Sequence, residues 1–194
     1  MLPALIVVFL LLACVGYLVG VYNGLVRVRA AVKLSWSNID VLLAQRHDEL
    51  PKLVEVCKQY MQYEGTTLER VMRARAALDA ARTAGNVGGV ASAERELRSG
   101  LNGLYAVAEN YPQLKASDNF RALQSQLDDL ENKIAAARRF FNNAVAEFNT
   151  HIEQFPAVLL AGPLGFARAE MFALDAAEKA AASQAPKVSF GGQS

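Results

Sequence analysis

LPALIVVFLLLACVGYLVGVYNGLV, residues 2–26, carries no charged side chain, and Arg27, Arg29 and Lys33 follow at once. At about 1.5 Å per residue, a helix of this length exceeds the roughly 30 Å hydrocarbon core of a bilayer. The stretch therefore reads as a transmembrane helix. A cleaved signal peptide wants a basic segment before a shorter apolar run. Here no Lys or Arg precedes the run. Leu11-Leu12-Ala13-Cys14 resembles a lipobox, yet apolar sequence continues for a dozen residues past Cys14. An uncleaved anchor is expected. The basic residues on its C-terminal side place the N-terminus outside and the rest in the cytoplasm of a bacterial inner membrane.

Gly16, Gly20 and Gly24 recur every four residues inside the run. On a helix they share one face and let a second backbone approach closely, the geometry of anchor self-association. Glycine is also simply common in membrane helices, and the spacing alone leaves both readings open. Tyr17 and Tyr22 fall where interfacial belt residues would sit.

Residues 27–194 are enough for one domain with a core. Twenty basic and nineteen acidic residues give a net charge of +1, so no electrostatic footprint for nucleic acid exists. Cys14 and Cys57 are too few for a disulfide framework or a thiolate metal site. His47 and His151 have no Glu three residues ahead, which excludes the di-iron bundle motif. Phosphate-binding glycine loops, nucleophile elbows and zinc-protease motifs are missing from the sequence. The expectation is a protein that is not an enzyme and has no cofactor, metal or small-molecule substrate.

Phe120, Leu127, Ile134, Phe141, Phe148 and Phe155 are seven residues apart, interleaved with Leu123, Leu130, Ala137, Ala144 and His151. This pattern predicts a long bundle helix from Ser117 or Asp118 to Gln154, ended by Pro156. Trp36, Leu43, Leu50 and Cys57, with Ile39, Leu53 and Tyr60, predict a second long helix over 27–64, closed by Gly65. Arg46 interrupts its apolar line, and Pro51 predicts a kink or break near Asp48. Two shorter helices are expected over 66–84 and 91–109, with Gly88-Gly89 in the turn between them. No strand pattern appears.

The predicted fold is all-α: an N-terminal transmembrane helix (1–26) followed by an antiparallel up-down-up-down four-helix bundle (27–154). An apolar membrane-proximal segment (155–172) follows, then an Ala-rich helix and tail (173–194). If the two long helices are antiparallel neighbours, Asp40 lies level with Arg138, Arg139 and Asn142, and Arg46 near Glu131. The line Arg138, Asn142, Asn149 then faces either outward, as a partner surface, or inward, fixing the register. Leu159, Leu160, Leu164, Phe166 and Phe172 are candidates for contact with lipid headgroups or the anchor; a loop capping the bundle base is the alternative.

Several segments resemble the LemA family of bacterial membrane proteins. They include Tyr22-Asn23-Gly24-Leu25-Val26, Trp36 with Ile39-Asp40, Arg46-His47-Asp48-Glu49-Leu50-Pro51-Lys52-Leu53-Val54, Ala74-Arg75-Ala76 and Tyr111-Pro112-Gln113-Leu114-Lys115-Ala116. Asn119-Phe120 through Phe148-Asn149, then Phe155-Pro156, Gly165-Phe166 and Pro186-Lys187-Val188-Ser189-Phe190, continue the likeness. His47 stands where the family usually has a second Arg, Lys52 where Asn is usual, and Phe141 and Phe148 where Tyr is commoner. The resemblance implies a single-pass membrane protein with a cytoplasmic helical bundle and no known catalysis. Some relatives are similar to magnetosome-membrane proteins, which suits a membrane-shaping role by analogy. The expected partners are the lipid bilayer, a second copy of the chain in a homo-oligomer, and other membrane proteins for which the bundle acts as adaptor.

Overall fold

The computed structural model describes residues 2–173. Its helices are α1 (Leu2–Lys58), α2 (Gly65–Thr83), α3 (Val87–Ala108), α4 (Pro112–Ala116), α5 (Asp118–Glu153) and α6 (Ala157–Ala161). No strand occurs among the described residues. The anticipated helix over 173–194 lies almost wholly outside them, and Ala173 itself is not helical.

The apolar run and the first bundle helix are one element. α1 runs 57 residues without a break, about 85 Å. Its first half is bare: Leu5 through Val19 expose their side chains, and the most apolar 18-residue window has a mean hydropathy of 2.8 with none of it buried. Among the described residues this is the one helix long and apolar enough to cross a membrane. From Leu25 onward the same helix turns into core, with Ile39, Leu43, Leu50, Leu53 and Cys57 buried.

α1 runs on through Pro51, so of the expected kink or break the break does not occur. Proline lacks the N–H that would bond the carbonyl four residues back. That carbonyl belongs to His47, and Arg75 of α2 donates its Nε–H to it at 2.9 Å. A second guanidinium nitrogen of Arg75 meets the His47 imidazole. The neighbouring helix thus supplies the donor that proline removed. Arg75→Met should cost about 1–3 kcal/mol, because His47 O is left unpaired in a half-buried place. Pro51→Ala restores a backbone donor and should recover most of that loss. A double-mutant cycle in urea checks it, and strictly additive effects would refute the coupling.

α1 ends at Lys58, earlier than expected, and Gly65 opens α2 rather than closing α1. The amides of Tyr60 and Met61 both turn onto Cys57 O, at 3.0 and 2.9 Å, and Met61 plugs the core. The α2–α3 connection is equally compact. Asn86 N–H bonds Ala81 O and Gly85 N–H bonds Arg82 O, with Gly85 at φ 64°, where a side chain would be strained. Asn86 then caps α3 by accepting the Gly89 N–H at 2.8 Å. Gly88-Gly89 therefore forms the first turn of α3, not a loop, because the cap pulls the helix start forward. A Cβ on Gly89 would sit 2.9 Å from Asn86 Nδ2.

α1 packs along α5, and the α2–α3 hairpin packs on that pair. The α1/α5 register is read from two contacts. Arg46 meets Glu131, and the Trp36 and Phe141 rings lie 5.5 Å apart. Ten residues back along α1 match ten forward along α5, as antiparallel helices of equal rise require. Extended at the same rate, this register brings the end of α5 level with Gly24, inside the apolar run. α2 and α3, at 19 and 22 residues, are about half as long as α5. The four-helix cross-section therefore occupies the end distal to the anchor. Nearer the anchor, α1 and α5 are joined by α6 and an extended strap, residues 166–173.

Candidate functional site

Three places gather the residues that could act on a partner. The first is the glycine face of the anchor. A Cβ built on Gly16, Gly20 or Gly24 meets nothing within 4 Å, so that face stands open.

The second is a buried charge network. Arg46 is 1 % exposed and sits on the apolar stripe of α1. Its Nη1 reaches both carboxylate oxygens of Glu94 on α3 at 3.1 Å and Glu131 Oε2 on α5 at 2.8 Å. Arg98, one turn on from Glu94, bonds the other oxygen of Glu131 at 2.7 Å. Burial pushes the Glu94 carboxyl above the usual range, opposed chiefly by Arg46. Glu131 on α5 raises it further, while Arg138 on α5 and Arg98 on α3 lower it. Arg46 Nε and Tyr105 Oη have no hydrogen-bond partner among the described residues, and both residues line a cavity of about 50 Å³ beside Asp128 and Glu131. The Arg46–Glu131 proximity follows from the sequence, but Glu94 does not appear in that reading. The signal existed: Glu94 is the one charged residue on the stripe Val90, Leu97, Leu101, Leu104 of α3. Burial also pushes the Cys57 thiol up to about 12, so it is inert core rather than a nucleophile.

The third is the strap. Asn149 exchanges two hydrogen bonds with the backbone of Ala169, at 3.0 and 2.9 Å, and Asn142 does the same with Phe172, at 2.9 and 2.7 Å. Seven helical residues rise about 10.5 Å, and three extended residues span about 10 Å, so the two spacings match. The line Arg138, Asn142, Asn149 thus faces inward, against the strap, with Arg138 and Asn149 buried and Asn142 half-buried.

One expected pairing and one expected placement differ. Asp40 does lie level with Arg138, as the α1/α5 register requires, but its ion pair is with Arg82 of α2 at 3.1 Å, because the hairpin end reaches the same level; Arg82 also binds Asp79 at 2.8 Å and keeps that carboxyl below its ordinary range. Phe172 does not lie at the membrane-proximal end. The chain reverses at Gly165, φ 74°, and the strap carries Phe172 back along α5 into the core, under the Arg138 guanidinium at 4.7 Å. Phe166 is buried too, edge-on to Tyr22 at 6.1 Å and beneath Arg29 at 4.7 Å, so it contacts the chain's own anchor helix. Leu159 and Leu164 are exposed, and Leu160 is half-buried.

An apolar helix continuous with a strapped helical bundle defines a membrane-associated, all-α protein. Among the described residues no three His, Cys, Asp or Glu side chains gather as metal ligands. The chain belongs to the LemA family, whose model matches residues 35–190. It is similar to the magnetosome proteins MamQ 1 and MamQ 2 of Paramagnetospirillum magneticum, each 25 % identical over 177 residues, covering 78 % of this chain and 64 % of the relative. Magnetosome protein MamQ of Magnetospirillum gryphiswaldense is 36 % identical over 72 residues, 37 % of this chain and 26 % of that protein. The chain thus spans less than two thirds of the length of these relatives.

Proposed function

We propose that this protein is a non-enzymatic scaffold of the bacterial inner membrane that self-associates through its anchor and organises the bilayer around it. Gly16, Gly20 and Gly24 form the contact, and the bundle stands in the cytoplasm, on the side of Arg27, Arg29 and Lys33. The single observation carrying this reading is the continuity of α1. A helix whose bare, glycine-lined half leads without a joint into the bundle core passes any anchor packing directly to the bundle's orientation. That the similar proteins are magnetosome proteins by name supports a membrane-organising role.

Gly20→Leu places a bulky side chain on the open face and should weaken association about tenfold, the ~1–2 kcal/mol scale of contacts between membrane helices. The bundle's thermal melt should not move, since nothing packs on Gly20. Analytical ultracentrifugation in mild detergent reads the result. Full retention of the assembly in Gly20→Leu counts against the anchor as its driver.

A second reading, an adaptor for other membrane proteins, has one observation in its favour. A groove of about 510 Å³ opens at the distal tip, walled by Lys58, Gln62, Glu69 and Met72 over the buried Val54, Met61 and Leu68. An apolar floor with charged walls suits an amphipathic helical partner. A specific protein recovered with the wild type and lost on Met72→Lys would favour it.

A further inference from the structure

We propose that the corner formed by residues 155–164, with Arg29 and Arg168 beside it and Arg27 at the same level of α1, is an interfacial binding surface for anionic phospholipid. The inference rests on the reading of α1 as the membrane anchor, and adds a second attachment point with its own lipid preference.

Three observations converge on it. The first is level. α6 packs in one cluster with Leu25 and Val21, and the Phe166 ring touches Tyr22. The first charge on α1 comes only at Arg27. The corner therefore sits beside the last turns of the apolar run, where a bilayer passes from acyl chains to headgroups.

The second is an inverted amphipathicity. No charged residue occurs from Gln154 to Ala167. Yet the side chains turned toward the bundle are the small ones, Ala157 and Ala161, while Phe155 is 80 % exposed and Leu159 65 %, with Val158 and Leu164 outward as well. A corner facing water would place its large apolar groups inward. Pro156, Gly162, Pro163 and Gly165 exclude a span, leaving insertion to the depth of the headgroup/acyl boundary.

The third is charge. Arg27 is exposed, Arg29 lies over the Phe166 ring, and Arg168 is 72 % exposed. Against them stand Glu147, Glu153 and Glu170; Glu153 is held by Arg168 at 2.9 Å, and Glu170 shares a pocket with Lys33, which leaves Arg27 and Arg29 against Glu147. The collar keeps a positive excess that a phosphate-rich, anionic surface matches.

The test uses the full chain in lipid nanodiscs, with the lone tryptophan removed by Trp36→Phe and a reporter introduced by Leu159→Trp or, separately, Leu164→Trp. Lipid brominated near the headgroup end of its acyl chains quenches an inserted indole. With about one-third phosphatidylglycerol, both reporters should lose at least about half their emission, and less in pure phosphatidylcholine. Tyr63→Trp, at the exposed distal turn, serves as the unquenched reference, and Phe9→Trp as the reference inside the anchor. If both corner reporters behave like Tyr63→Trp while Phe9→Trp is quenched, the surface is overturned and the anchor stands. An unquenched Phe9→Trp overturns the anchor reading itself. Equal quenching in the two lipid mixtures overturns the anionic preference.

Discussion

Replacing Arg46 with methionine is expected to cost the folded protein about 3–5 kcal/mol, a large part of the stability of an ordinary domain. The loss is not that of one attractive contact. Arg46 is the nearest counter-charge to Glu94, whose side chain is 1 % exposed. Without the guanidinium that carboxylate must remain charged in an apolar setting or take up a proton. Glu131 is less affected, since it is partly exposed and keeps Arg98 at 2.7 Å. The double variant Arg46→Met/Glu94→Leu should therefore recover most of the loss, because removing both buried charges leaves only packing to satisfy. Urea denaturation of the detergent-solubilised chain, followed by circular dichroism, gives both numbers. A double variant as unstable as Arg46→Met would show that the cost lies in lost volume, not in the stranded charge.

The same group predicts a pH dependence. Burial raises the Glu94 carboxyl above its unfolded value, so the folded state binds the proton more tightly. Its favourable contribution is present below the ordinary glutamate range, near pH 4 to 5, and fades as the pH rises through the raised folded value. Glu94→Gln removes that slope. The difference between wild-type and Glu94→Gln stabilities should change as the pH rises above the ordinary glutamate range, and a pH-independent difference would contradict the sign.

The second large effect concerns the strap. Phe172→Ala should cost about 3–5 kcal/mol, since the ring is buried among core residues and covers Arg138. Asn142→Ala should cost about 1–3 kcal/mol, by stranding the amide and carbonyl of Phe172. Both substitutions release the same segment, so the double variant should lose less than the two separate losses added together. Hydrogen exchange offers a direct reading: the amides of Ala169 and Phe172 should lose protection together in either variant. Protection retained at Ala169 in Phe172→Ala would mean that the two asparagines clamp independently.

Much of this architecture is legible in the amino-acid order, because it rests on local periodicity. Seven-residue spacing over Phe120 to Phe148 marks the buried line of α5, and Trp36 to Cys57 that of α1. The line fails at Phe155, which is exposed, because the helix has already ended at Glu153. Arg46 stands out in the sequence as a charge on an apolar line, and equal helix rise is enough to bring it near Glu131. Glu94 was equally marked but belongs to a helix whose facing partner no periodicity names.

What the sequence by itself determined is the set of apolar faces: a span of uncharged residues too long for a soluble helix and two long heptad stripes. These depend only on the repeat of the helix and the thickness of a bilayer. Only the tertiary structure decided that α1 passes Pro51 unbroken, that Asp40 pairs with Arg82, and that Phe172 leaves the membrane end for the core. Each depends on a donor or a reversal brought from far along the chain: Arg75 to His47, the α2–α3 end to Asp40, the turn at Gly165 to Asn142. Hydrogen-bond partners separated by tens of residues leave no local period to read, and are chosen only when the helices meet.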